Sequence, residues 1–257
     1  MHIDVDEAVV LPATAEGSPM TIGHIFSAIS KDLSAIVFIN HEAVPECCGD
    51  VEDPFRTVTL FKCNLAAAAS ASPQALVRER AEARAFWRQR TQSLLGVPQF
   101  FLCYANGKSA TRVRQVQSQP VPAGVHRWRG QSCEMRQCAV VDPSLACLLH
   151  YSNVGESTFV AKYRRLGKFG NCWFGSEPIR LPLHLAARDA VCALDEAWRY
   201  RASDDMDRAK NAVRKLYEGA IALNTQGAAE DVDLQLRSGV CQRIDCVVRT
   251  LSCIEKK

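Results

Sequence analysis

The chain lacks any apolar run long enough to span a bilayer. Its longest nearly apolar stretches, Leu65 to Ala71 and Ala139 to Leu149, are too short or too interrupted, since a spanning helix takes about 20 apolar residues. It has no basic n-region followed by an apolar h-region at its start, so no signal peptide is visible. No Asn-x-Ser/Thr acceptor occurs, and nothing therefore requires a secreted environment. There is no basic arm and little excess charge: Lys+Arg 31 against Asp+Glu 28 leave +3, which argues against a general nucleic-acid footprint. Internal repeats are absent. Cysteine is plentiful at 12, but the spacings Cys47-Cys48, Cys133-x₄-Cys138 and Cys241-x₄-Cys246 miss the paired C-x-x-C pattern of zinc sites. Cys103 and Cys147 sit in apolar runs, where a free thiol behaves as a small buried hydrophobe. At 257 residues, the length allows one large domain or two smaller ones.

What is present begins with His2-Ile3-Asp4-Val5-Asp6-Glu7. If Ile3 and Val5 point into a core, period-two alternation sends Asp4 and Asp6 to the other face, where both carboxylates can reach one cation. Hard oxygen ligands suit Mg²⁺ or Mn²⁺, ions that keep positions open for the phosphates of a nucleotide substrate. A solvated acidic tail is the plain alternative.

Along the chain, Thr21 to Leu33 has helical apolar spacing and Ala35 to Ile39 reads as a buried strand, followed by a polar turn Asn40-His41-Glu42. A strand ending in His and Glu can place both at the mouth of a sheet, or leave them solvated in a loop. Phe55 to Lys62 reads as a strand, Ala66 to Ala71 is alanine-rich, and Pro73 to Leu95 is helical, with Val77, Ala81, Ala85 and Phe86 on one face and Gly96 as its stop. Its arginines read as a solvated face. Asn106-Gly107 between Phe100–Tyr104 and Lys108–Val113 signals a two-residue hairpin. Lys108 and Arg112 beyond it are candidate phosphate or carboxylate clamps, solvated hairpin charges being the alternative. Gly124 to Trp128 reads as a short strand with His126 protruding, and Val140-Val141 and Ala146 to His150 as apolar strands. Glu156 to Leu166 is a helix ended by Gly167, and Trp173 to Pro182 is loop. Helices over Ala187 to Arg201, Met206 to Leu223 and Val232 to Ile254 complete the chain. The fold class is α/β, with a mixed sheet and flanking helices over 1–185 and a helical region over 186–257.

Asp4-Val5-Asp6-Glu7, Gly107-Lys108-Ser109-Ala110-Thr111-Arg112, Gly124-Val125-His126 and His150-Tyr151 with Phe159, Lys162 and Gly167 together resemble the C-terminal half of a GT-A glycosyltransferase. The similarity is to the family 92-like and family 2-like group and covers about residues 2 to 175. It implies a partial GT-A-like sheet in which Asp4 and Asp6 hold Mn²⁺ or Mg²⁺ on the diphosphate of a nucleotide-sugar donor. His150 would complete the coordination, with His126 as the second candidate, and Lys162 would lie near the diphosphate with Lys108 and Arg112. Glu42 or His41 would meet a glycan acceptor as general base. In GT-A folds nucleotide-binding βαβ units precede the Asp-x-Asp strand, whereas only Met1 precedes His2 here. The expectation is either a piece of a longer enzyme, whose parent would belong to the Golgi or secretory pathway, or an inactive remnant that binds a glycan or protein and self-associates through an exposed sheet edge.

Overall fold

The structure, a computed structural model, describes residues 1–12, 18, 20–31, 33, 35–64, 74–112, 121–123, 126–129, 138–143, 145–173, 176–201, 203–223 and 229–247. The alanine run 66–71, Pro73, Val113, Gly124-Val125, Cys133, Phe174-Gly175 and 248–254 of the expected last helix lie outside the described residues.

The fold is α/β and is built on one extended run. β2 (Ala35–Phe38) and β3 (Asn40–Ala43) follow each other with only Ile39 between them, and each is the centre of a sheet. β2 lies antiparallel to β5 (Lys108–Thr111) and parallel to β8 (Cys138–Val140). β3 lies parallel to β9 (Cys147–His150) and antiparallel to β4 (Leu60–Lys62), and the sheet closes with β1 (Glu7–Val10) outside β9 and β10 (Cys241–Arg243) outside β4. The Leu148 N–H donates to the Ile39 carbonyl at 2.9 Å and carries the pairing across the interruption. Short continuous apolar runs such as Ala-Ile-Val-Phe and Cys-Leu-Leu suit central strands covered on both faces. β6 (Val121–Ala123) and β7 (Arg127–Arg129) form a separate antiparallel pair.

Helices cover the sheets. α1 (Ile22–Ala28) is capped by the Thr21 side chain. α4 (Glu156–Leu166) ends at Gly167, whose N–H donates to the Tyr163 carbonyl at 2.9 Å and whose φ of 65° turns the following chain off the helix. α5 (Pro182–Tyr200) starts five residues earlier than the spacing predicts because Pro182 occupies its first turn. α6 (Ser203–Leu216) continues into a π turn over Tyr217–Ile221. Phe159 and Tyr163 of α4, Leu183, Ala187 and Val191 of α5, and Val213 of α6 share one apolar cluster, and the division expected at residue 185 falls inside α5.

Several sequence expectations are corrected. Asn40-His41-Glu42 is strand rather than turn, because Glu42 and the Asn40 amide nitrogen find partners indoors. Glu42 accepts from Lys62 Nζ at 2.7 Å and from the Leu102 and Cys103 N–H groups at 2.8 and 3.0 Å, and Asn40 Nδ2 donates to the Tyr104 carbonyl at 2.7 Å. Those bonds also explain why residues 100–104 form no hairpin with β5: part of their backbone is satisfied by side chains of β3, while β5 pairs with β2. Only the end of 55–62 is strand, since Pro54 opens a helical turn, α2 (Pro54–Thr57). α3 (Gln74–Leu95) buries Ala83, Trp87 and Thr91 instead of the Val77-Ala81-Ala85 stripe, because Trp87 Nε1 donates to Gln235 Oε1 at 3.0 Å and its ring faces Lys62. Its arginines are not all solvated: Arg90 donates to the Gly219 and Ala222 carbonyls and Arg80 to Ser238. The helix expected over Val232 to Ile254 is interrupted among the described residues. α7 (Ala229–Arg237) is followed by Gly239 at φ 70°, and β10 then pairs with β4.

Candidate functional site

The acidic start is a turn and not a strand. The Glu7 N–H donates to the Asp4 carbonyl at 3.1 Å and the Asp4 N–H to Glu7 Oε2 at 2.8 Å, so Val5 is thrown outward, 96% exposed, and the expected alternation is lost. Pairing resumes at Glu7, which lies opposite His150 at the end of β9. The Tyr151 N–H donates to the Asp6 carbonyl at 2.8 Å and holds the turn against that strand end.

Residues far apart in the chain then converge on the turn. Lys108 Nζ lies 2.7 Å from Asp4 Oδ2 and 3.5 Å from Glu7 Oε2. On Asp6 Oδ2, His150 Nε2 closes to 3.6 Å and Lys162 Nζ to 3.5 Å, while the same ammonium donates to the Ser152 carbonyl at 2.8 Å. Lys108 arrives there because Gly107, just before β5, has φ +66° and passes so close to β2 that a Cβ would stand 1.8 Å from the Phe38 carbonyl oxygen. Lys162 arrives because Gly155 opens α4 directly after the β9 turn.

The charges settle as this geometry requires. Burial alone would raise Asp6, but the His150 imidazole and the Lys162 charge outweigh it and hold the carboxyl well below its usual range. Asp4 is likewise lowered: against burial stand the bond and charge of Lys108 and the His2 imidazole, 3.2 Å away. Glu7 goes the other way, raised by burial despite the Asp4 N–H and Lys108. Burial and the Lys108 charge lower His126.

His126 reaches the site through a ring rather than a carboxylate. Its centroid is 4.1 Å from that of Tyr104, and its Nδ1 is 3.1 Å from the Gly107 carbonyl. Tyr104 also packs against His150 at 4.8 Å and donates its hydroxyl to Glu7. Neither Tyr104 nor a separate role for Glu7 was legible in the sequence. The available signal was an aromatic closing an apolar run just before Asn-Gly.

Three of the expected residues are placed elsewhere. Arg112 donates to the Phe26 carbonyl and lies over the Phe26 ring at 5.1 Å, closing the C-terminal end of α1. Glu42 is 3% exposed with both oxygens occupied, and His41 is buried on the alternate face of β3. Burial lowers the His41 imidazole.

Among the described residues no group of three or more His, Cys, Asp or Glu side chains is spaced to hold a metal ion. Asp6 and His150 offer two donors aimed at one another. That number fits an ion that takes one or two protein ligands and fills its remaining positions with substrate phosphate and water.

An α/β scaffold with an acidic turn between two lysines and a strand-end histidine is thus the class that fold and site define. Over 167 residues, 65% of the chain, it is 29% identical to Glycosyltransferase-like At2g41451 of Arabidopsis thaliana. It is 28% identical over 167 residues to Glycosyltransferase-like At3g57200 of the same plant. These alignments cover 32% and 28% of the two relatives, so the chain matches about a third or less of their length. No family model and no solved structure matches it. Over that span the chain is similar to proteins named glycosyltransferase-like. No helix among the described residues is long and apolar enough to cross a membrane.

Proposed function

We propose that this chain carries the donor-diphosphate end of a glycosyltransferase of GT-A type, one that moves a sugar from a nucleotide-sugar to a glycan or other acceptor with Mn²⁺ or Mg²⁺. The observation that carries the reading is the convergence of Asp6, His150 and Lys162 on one point, across 156 residues of chain between the first and last. Asp6 and His150 would hold the cation, with Asp4 beside them. When bound, the cation would offset negative charge on the departing nucleoside diphosphate. Lys162, partly exposed, can exchange its bond to Asp6 for a phosphate oxygen. Lys108 cannot, being wholly buried; it fixes the turn on which the aspartates stand. A general base from Glu42 or His41 finds no support in their interior placement. Residence of a longer parent in the secretory pathway belongs to the same reading.

Calorimetric titration of the chain with UDP, with and without Mn²⁺, tests it. Binding should require Mn²⁺ and should weaken about tenfold or more in Asp6→Asn, the scale of losing one good charge contact. Equal UDP binding by Asp6→Asn, or binding indifferent to Mn²⁺, would remove the metal role.

A second reading has its own observation. Each aspartate already has an ammonium partner, at 2.7 Å for Asp4 and 3.5 Å for Asp6, which lets the scaffold stand without a cation. Such a protein would bind a glycan or a second chain without catalysis, through β1 or β10, the edge strands of the five-stranded sheet among the described residues. Absence of UDP binding together with a concentration-dependent dimer in sedimentation would favour it.

A further inference from the structure

Outside the acidic site, one cluster of rings lies at the margin of the apolar cluster shared by α4, α5 and α6, with Tyr163 inside that cluster and Phe169 packed against it. His184, in the first turn of α5, lies between Phe169, with centroids 4.6 Å apart and planes at 31°, and Trp173, at 5.5 Å and 33°. Tyr163, the residue after Lys162 on α4, meets the same imidazole with its hydroxyl 3.0 Å from Nδ1. The outermost ring, Trp173, is 44% exposed.

The backbone that carries Trp173 is tied down on both sides. The Trp173 N–H donates to the Glu177 carbonyl at 2.7 Å and the Ile179 N–H to the Asn171 carbonyl at 2.8 Å. Arg188 donates to the Phe169 carbonyl at 2.8 Å and to Asn171 Oδ1 at 2.9 Å, and its guanidinium covers the Phe169 ring at 5.1 Å. An aromatic surface whose backbone is already hydrogen-bonded loses less entropy on binding than one on an unbonded loop, which is what a recognition platform needs. Trp198 is more exposed, at 73%, but has no aromatic backing among the described residues.

Charge decides the class of ligand. His184 is neutral near pH 7: burial lowers it to about 4, helped by the Lys162 and Arg188 charges. Those two cations disfavour a cationic ligand on the stack, although an aromatic face alone would accept one. The face is the negative part of the ring quadrupole, and it disfavours an anion in turn. A neutral ring with outward C–H bonds satisfies both limits.

We propose that Trp173, backed by His184 and Phe169, is a stacking platform for one ring of a neutral glycan acceptor. The word acceptor rests on the glycosyltransferase reading above; the platform itself rests on the ring geometry alone. Its position on the segment between α4, which carries Lys162, and α5 places it next to the helix that serves the acidic turn.

The test is calorimetric titration of the whole chain with cellotetraose, xylotetraose and β-1,4-galactotetraose, alongside UDP with Mn²⁺. At least one oligosaccharide should bind. Trp173→Ala should weaken it about tenfold, and Trp173→Phe, which keeps a ring, should stay within about threefold. Circular dichroism melts of both variants show that the fold survives. Oligosaccharide binding unchanged in Trp173→Ala, or no binding of any of the three by the parent chain, overturns the platform. UDP binding lost in Trp173→Ala with oligosaccharide binding intact also overturns it and assigns the ring to a nucleobase. If UDP and Mn²⁺ fail to bind while an oligosaccharide binds through Trp173, the donor reading falls and the platform stands.

Discussion

Lys108 and Asp4 meet 2.7 Å apart, with the lysine's side chain wholly buried and the aspartate's partly open to water. A buried ammonium is stable only with close counter-charge, and here Asp4 and Glu7 supply it across a break of a hundred residues in the chain. Lys108→Met removes the cation and leaves the buried Glu7 beside Asp4. The expected loss is about 3 kcal/mol in urea unfolding, below the full cost of a broken interior pair because Asp4 is screened by solvent. Unchanged stability would show that the turn does not depend on this strut.

The acidic turn also sets a pH dependence with a defined sign. Asp6 titrates in the folded chain well below its ordinary value of 3.8. A carboxyl lowered on folding adds stability above its unfolded value, and that contribution is lost as pH falls through the folded one. Thermal unfolding followed from pH 6 down to pH 2 should therefore fall more steeply for the parent than for Asp6→Asn, with the curves approaching each other at the acid end. Glu7, raised by burial, contributes with the opposite sign and is common to both proteins. Parallel curves would mean that Asp6 is not held by Lys162 and His150.

How much of this was readable depended on how local each cause is. α4 was legible to the residue because Phe159 and Tyr163 give its face and Gly167 its end. The apolar strands at 35–39 and 146–150 were legible for the same reason. The polar strand Asn40–Ala43 was not, since what keeps it extended is Lys62 and the backbone of Leu102 and Cys103, none of them neighbours in sequence. The same distant bonds misled the hairpin reading: Asn106-Gly107 does turn the chain, but β5 finds its partner in β2. At the site, Asp4, Asp6, Lys108, His150 and Lys162 do come together, whereas Tyr104 went unnoticed and Arg112 serves α1. A two-residue offset in α3 traces to Trp87, whose anchor Gln235 lies 148 residues further on.

Glu42 and Lys62 give the strongest interior prediction. Lys62 Nζ sits 2.7 Å from Glu42, 3.0 Å from the Phe100 carbonyl and 4.3 Å from the centre of the Trp87 ring. Glu42→Gln keeps the shape but leaves the ammonium without a counter-charge and turns an amide donor toward existing donors. The expected cost is about 3–5 kcal/mol, a fall in Tm on the order of 10 °C. If Glu42 were an acceptor-facing base, the variant would instead lose turnover with its Tm unchanged.

Gly107 and Gly96 separate two reasons for a glycine. Both have positive φ, 66° and 71°, so alanine at either position is strained by a comparable amount, of order 1 kcal/mol. At Gly96 an added Cβ meets nothing within 4 Å. At Gly107 it would stand 1.8 Å from the Phe38 carbonyl oxygen and 3.0 Å from the Asn40 nitrogen, in the backbone of the run that centres both sheets. Neither atom can move without shifting β2 against β5, and with it Lys108 against Asp4. Gly96→Ala should cost about 1 kcal/mol, whereas Gly107→Ala should cost about 3 kcal/mol or more and expose the Asn40–Ala43 amides to hydrogen exchange. Equal effects of the two substitutions in urea titrations would mean that the close approach at Phe38 is not what fixes the register of Lys108.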